Sequence, residues 1–332
     1  MKRRIENGGM FVSRVIKYKI VFFYLFAFLI SWTFWLGMFF FYGGNATTNS
    51  ADYFTLLIPS TLGALGPLLS LAILEKLTKK EIEVNQIIAT AKIRHANKLW
   101  FIPAIFAFPI IAVLGNFLYF LLGWEGQLRL ITTGPDTLGI FVLPVMAVHF
   151  AASLITSPLF EEPGWRSFAL RNLQSSYGRE VGSLIVGTLW WLWHQPMNLT
   201  FSMQPTIYGF LSMIAFSFMI DSLFNLSGKN LFTAMLAHQS YGTLFIFIYI
   251  GQENTLTLAM LIGFVCLLRI KEWKTSRKLE DSKLAFDPAQ VLIARLLTVL
   301  IKETVSQFSI PCTCHQGKKR AAYQRTLTIV GK

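Results

Sequence analysis

Apolar blocks fill this chain from its basic N-terminal arm to about residue 270, and most are long enough to cross a bilayer, which takes about 20 residues. Of its 332 residues 54% are hydrophobic and only 14% are charged. The charged residues fall between the blocks, as in a polytopic membrane protein. The expected fold class is therefore all-α: a transmembrane helix bundle of about eight spans. Apolar periodicity and block ends predict helices at 18–44, 53–74, 99–123, 136–160, 181–199, 207–226, 230–250 and 254–270. The first block is longer than the ~7–15 residues of a signal-peptide core and has no small-residue cleavage site after it, so it reads as an anchor.

A net charge of +13 raises the question of nucleic acid. The Lys and Arg residues gather in the N-terminal arm, in the linker from Glu75 to Lys98 and in the tail, which is the pattern of cytoplasmic loops; no nucleic-acid partner is expected. Lys2, Arg3, Arg4, Arg14, Lys17 and Lys19 stand before the first block, and Lys76, Lys79, Lys80, Lys92, Arg94 and Lys98 follow the second. The segments Asn45–Asp52 and Gly251–Asn254 hold no Lys or Arg. The positive-inside rule then puts both termini in the cytoplasm of a multi-pass plasma-membrane protein. The chain divides into a cytoplasmic basic arm (1–17), N-terminal transmembrane helices (18–135), a second transmembrane region that carries the motifs below (136–270) and a basic cytoplasmic tail (271–332). In the tail, Asp287 and Pro288 suit a helix start, and the run Val291–Ile301 is too short to span, as in a surface amphipathic helix.

Cysteine carries little information. Cys266 lies in an apolar block and reads as packing, and Cys312, Cys314 and His315 are too closely spaced for a known zinc pattern.

Ionisable groups at membrane depth normally face protein or a water-filled cavity, and three sites hold them. The first is "LFEEPGWRSFAL", 159–170. If the helix continues through it, Glu162 and Arg166 stand at i and i+4 and pair, while Glu161 points about 100° away. Pro163 and Gly164 argue for a break or kink there, and irregular backbone in a membrane implies a cavity. The second site is "LWWLWHQP", 189–196, where Trp190 and His194 share a face and Pro196 follows. The third is "MLAHQSYG", 235–242, with His238 well inside its helix. A lone histidine of this kind is usually a satisfied core residue; two beside a free carboxylate weaken that reading. A helix beginning near Val181 would place His194 about 20 Å in, deeper than Glu161 if the preceding helix ends at 160.

The patterns Glu161-Glu162-x-x-x-Arg166, Trp190-x-x-x-His194 with Pro196 following, and a later transmembrane His238 resemble the CPBP family of intramembrane proteases, which takes in type II CAAX prenyl endopeptidases and bacteriocin-immunity Abi proteins. The resemblance covers roughly Leu143 to Phe247. It implies hydrolysis of a peptide bond in a membrane-embedded or lipidated peptide or protein at the lipid bilayer. Glu161 with His194 would activate water, Glu162 and Arg166 would support the site, and His238 would stabilise the oxyanion. The residue types suit those roles. One position departs: where the family has Asn four residues after the last histidine, this chain has Gly242. Tyr241 or Asn198 are candidates to supply the lost donor; close helix packing is the other reason for a glycine there.

Glu161, His194 and His238 would also make a three-ligand site with a place for water, as in zinc hydrolases. With no HExxH motif and the histidines on different helices, a glutamate-dependent site without a cofactor is the preferred reading. A transporter is disfavoured by the lack of an internal repeat. A non-catalytic immunity or scaffold protein is the alternative that Gly242 keeps open.

Overall fold

The structure is a computed structural model in which residues 14–44, 46, 50–122, 142–247 and 254–286 are described. The described residues form an all-α bundle. Its helices are α1 (Lys19–Tyr42), α2 (Ser50–Ala64), α3 (Gly66–Leu77), α4 (Val84–Ala89), α5 (Phe101–Leu121), α6 (Val142–Ser153), α7 (Ser157–Glu162), a π-helical stretch Pro163–Leu170, α8 (Arg171–Tyr177), α9 (Arg179–Trp193), α10 (Gln195–Thr200), α11 (Ile207–Leu226), α12 (Leu231–Phe247) and α13 (Thr255–Phe286). Among the described residues five helical stretches are long and apolar enough to cross a membrane: Lys19–Tyr42, Thr55–Leu77, Lys98–Leu121, Leu143–Tyr177 and Ile207–Leu226. The chain divides into two compact units, 1–273 and 274–332. The expected tail features Asp287, Pro288, Val291–Ile301, Cys312, Cys314 and His315 lie outside the described residues.

The surface and the interior carry the polarity expected in lipid. Phe41 is 80% exposed and Leu99 76%, whereas Glu161, Glu162, Arg166, Ser217, Asp221 and Ser222 are buried. With no water in the hydrocarbon, polar groups must find partners inside the bundle. Side-chain hydrogen bonds link the first helices: Ser31 Oγ donates to the Gly63 carbonyl (2.7 Å), Ser70 Oγ to that of Phe23 (2.8 Å) and Trp35 Nε1 to that of Ser60 (3.2 Å). The two short serine side chains let α1 approach α2 and α3 closely. Helix α1 ends at Gly43, whose φ of 60° turns its N–H back to the Phe39 carbonyl (2.8 Å), the left-handed stop that glycine accepts at little cost.

The main correction concerns the fourth span. It does not stop at 160, and Pro163 and Gly164 do not break it: the chain stays helical through them, as π-helix, to Tyr177. A π turn tolerates a proline, which has no N–H to give to the regular ladder. Gly164 is there for packing, since a Cβ on it would lie 2.8 Å from both Phe23 and Pro67. Gly178, at φ 83°, then turns α8 into α9 as a helical hairpin. Glu161 and His194 lie 17 and 16 residues from that turn, both about 25 Å along their helices. The expected mismatch in depth vanishes because the first helix is longer than its proline implied.

Two smaller corrections follow. Helix α13 runs to Phe286 rather than to 270, and Cys266 is exposed rather than packed.

Candidate active site

Trp190, fully inside the bundle on α9, is where the predicted residues meet. Its indole N–H donates to Glu161 Oε2 (3.0 Å), and its backbone carbonyl accepts from His194 Nδ1 (2.8 Å). A carbonyl oxygen can only accept, so the His194 Nδ1 carries a proton, and in the neutral imidazole the lone pair is on Nε2. The His194 and His238 rings both lie edge-on to the same indole, with centroids 5.3 and 5.2 Å from it. Glu161 is closed from below by Ser157, whose hydroxyl donates to Oε1 (2.5 Å).

Glu162, one residue on, belongs to a different network. Its Oε1 accepts from Arg166 Nη1 (3.1 Å), the i, i+4 pair that the spacing predicts, and from His238 Nδ1 (2.7 Å). Arg166 also donates from Nε to Asp221 Oδ1 (3.1 Å) and from Nη2 to Ser217 Oγ (3.0 Å). Its guanidinium lies 4.5 Å from the centre of the Trp190 ring, a cation–π contact that ties the two networks together. Glu162, Arg166 and Asp221 are wholly buried.

A cavity of about 790 Å³ opens beside His194. Asn198 and Tyr241 line it with His194, and Met197, Met203 and Met213 give it apolar walls. Glu161, Glu162 and His238 are not among its lining residues. The cavity expected at a Pro163–Gly164 break is therefore elsewhere: both residues are buried, and the opening lies by α10 and the start of α11.

Every predicted site residue falls in this region. Glu161, His194 and His238 share Trp190 as neighbour but make no direct hydrogen bond to one another, and His238 is bonded to Glu162 rather than to Glu161. Gly242 is not a helix-packing glycine, because the three atoms nearest to a Cβ there all belong to Gln239 of its own helix, at 3.5–3.8 Å. Asp221, Ser217 and Ser157 were not foreseen. Asp221 had a readable signal, being an acid inside the apolar run 207–226.

Among the described residues no group of three or more His, Cys, Asp or Glu is placed to hold a metal ion. Of the trio Glu161, His194 and His238, Glu161 is bonded at both oxygens, to Ser157 and Trp190, while His194 and His238 are bonded at Nδ1 and keep Nε2 open.

Residues 143–244 match the family described as type II CAAX prenyl endopeptidase, Rce1-like. The chain is also 25% identical over 236 residues to a CAAX prenyl protease 2 of Methanococcus maripaludis, covering 67% of this chain and 82% of that protein. Both findings support a CAAX protease-like family for this chain, and with it a protease, that is, a hydrolase. The likeness to CAAX-protease-like intramembrane endopeptidases and the apolar helices together support a multi-pass membrane protein.

Proposed function

We propose that this protein hydrolyses a peptide bond of a membrane-embedded or lipidated, prenylated-type peptide or protein, with water activated by Glu161 and His194. The observation that carries the reading is the double grip of Trp190, whose side chain holds Glu161 and whose carbonyl holds His194. A neutral imidazole with its lone pair on Nε2 is a competent base beside a cavity. Water loses a proton to the Glu161–His194 pair as its oxygen bonds to the scissile carbonyl carbon. The carbonyl oxygen becomes an oxyanion; its collapse breaks the C–N bond, and the same proton goes to the leaving amine.

Glu162 and Arg166 hold His238 in place. His238 donates Nδ1–H to Glu162, so it must carry its second proton to donate from Nε2 to the oxyanion, with Glu162 as counter-ion. The further donor comes from the cavity side, where Tyr241 and Asn198 stand with His194, in place of the amide missing at Gly242. The proposed route uses no metal. The Lys/Arg asymmetry of the loops supports a plasma-membrane orientation with both termini cytoplasmic; a reporter fused after Lys332 that read as extracytoplasmic would refute it.

A second reading, a non-catalytic immunity or scaffold protein, is favoured by Gly242 alone. One comparison separates the two. Cleavage products should appear among the membrane peptides of cells with the native protein and be absent both from cells holding Glu161→Ala and from cells without the gene. A phenotype retained in full by a well-folded Glu161→Ala protein would assign the chain to the scaffold reading.

A further inference from the structure

A second cavity, of about 520 Å³, lies outside the site just described. Lys92, His95, Arg171 and Lys229 line it, with no carboxylate in its lining. The cations come from separate parts of the chain: the linker between α3 and α5, the start of α8, and the turn between α11 and α12. That turn is sewn to the linker. Asn230 Nδ2 donates to the carbonyls of Thr90 (2.8 Å) and Lys92 (3.1 Å), and the Asn97 N–H donates to that of Ser227 (3.0 Å). Thr90 in turn meets Ser167 (3.2 Å), on the helix that carries Arg171. The backbone that carries the cations is therefore held from several sides.

Lysines placed only to orient a membrane protein need to be in the right loop, and nothing in that role requires them to converge. Here three permanent cations from three segments face one concavity, and none of Lys92, Arg171 and Lys229 is in an ion pair among the described residues. Gln86 at the edge of the cavity donates to Glu83 (2.7 Å), and His95 Nε2 accepts from Arg94 (3.0 Å). Like charges gathered without a counter-charge repel, and an anion relieves that repulsion.

The surroundings indicate where the anion comes from. Ile93 (45% exposed) and Leu99 (76%) bare apolar side chains between and beside these basic residues, and the span Lys98–Leu121 begins at the same place. A basic pocket with exposed apolar side chains at the end of a span suits a phosphate headgroup whose acyl chains continue along the helices. With no carboxylate to hold an ammonium group, the lining prefers a net anionic headgroup to a zwitterionic one.

We propose that this pocket binds the phosphate group of an anionic phospholipid. The test uses the full-length protein in detergent, titrated with phosphatidylglycerol or phosphatidylcholine, with bound lipid counted by native mass spectrometry. Phosphatidylglycerol should be retained about tenfold more than phosphatidylcholine, and Lys92→Ala with Lys229→Ala should bring the two to parity. Lys79→Ala with Lys80→Ala, in the same linker but outside the cavity, should leave the preference intact. Unfolding temperature, followed for each variant, separates loss of binding from loss of fold; Arg171→Gln provides a second lining variant should the double one unfold. Equal retention of the two lipids, or equal losses from the two lysine pairs, would overturn the proposal. Millimolar inorganic phosphate, at matched ionic strength, identifies the source: failure to displace the lipid assigns the pocket to the headgroup, and displacement to free phosphate assigns it to the soluble anion instead and overturns the lipid assignment.

Discussion

On one side of the helix that carries Glu161 and Glu162, Arg166 is enclosed by Glu162, Asp221 and Ser217, with His238 attached through Glu162. On the other side, Glu161 is held by Ser157 and by Trp190, which also holds His194 at the edge of the large cavity. A step of one residue turns a helix by about 100°, enough to put adjacent carboxylates in opposite settings. The enclosed network fixes geometry, because in the membrane interior each of its charges depends on the others. The other side reaches the cavity through His194, which lines it. Paired acids at one point of a membrane helix need not share a role.

The largest expected effect tests the enclosed side. Arg166→Ala leaves Glu162 and Asp221 buried without their cation, and removing one partner of a buried ion pair costs about 3–5 kcal/mol. Folded yield and thermal unfolding in detergent should both fall sharply; an Arg166→Ala protein as stable as the native one would break the comparison at its firmest point.

A smaller effect is expected where the two sides meet. Trp190→Phe keeps the ring and the backbone carbonyl for His194 but deletes the indole N–H that holds Glu161. Turnover should drop about 10- to 100-fold through misplacement of the carboxylate, with most of the stability kept. If turnover is unchanged, the grip on Glu161 has no part in the chemistry.

The smallest effects concern the cavity wall. Tyr241→Phe should lower turnover by about tenfold or more if its hydroxyl serves the oxyanion. Gly242→Asn should fold normally, because its new Cβ would meet Gln239 at ordinary contact distance, and should change turnover least. A strong gain from Gly242→Asn with no loss from Tyr241→Phe would move the missing donor to position 242.

How far these arrangements could be read in advance depended on the range of the interactions. The helix 207–226 was legible to the residue, and the first to within two, because their ends carry local signals: Thr206 caps one by accepting from Gly209 (3.0 Å), and Gly43 stops the other. The Glu162–Arg166 pair was legible for the same reason, as helical spacing fixes it. The stretch after Glu162 misled because Pro163 and Gly164 have local meanings, helix breaking, that packing overrides: Phe23 and Pro67 press on Gly164 from other helices. The bonds from Glu162 to His238 and from Glu161 to Trp190 join residues 76 and 29 apart, and no periodicity reports such contacts. Asp221 could have been found, since one acid in an apolar span carries the same message as the glutamates.

The most direct test of the division between the two acids is a side-by-side measurement of Glu161→Gln and Glu162→Gln, scoring peptide cleavage and unfolding temperature in the same preparations. Glu161→Gln should keep the native unfolding temperature and lose about 10²- to 10⁴-fold in turnover, the usual contribution of a positioned base. Glu162→Gln should lower the unfolding temperature, because Arg166 and His238 lose their shared anion. A Glu161→Gln protein that cleaves at the native rate, or one that unfolds while Glu162→Gln stays stable, would contradict the account.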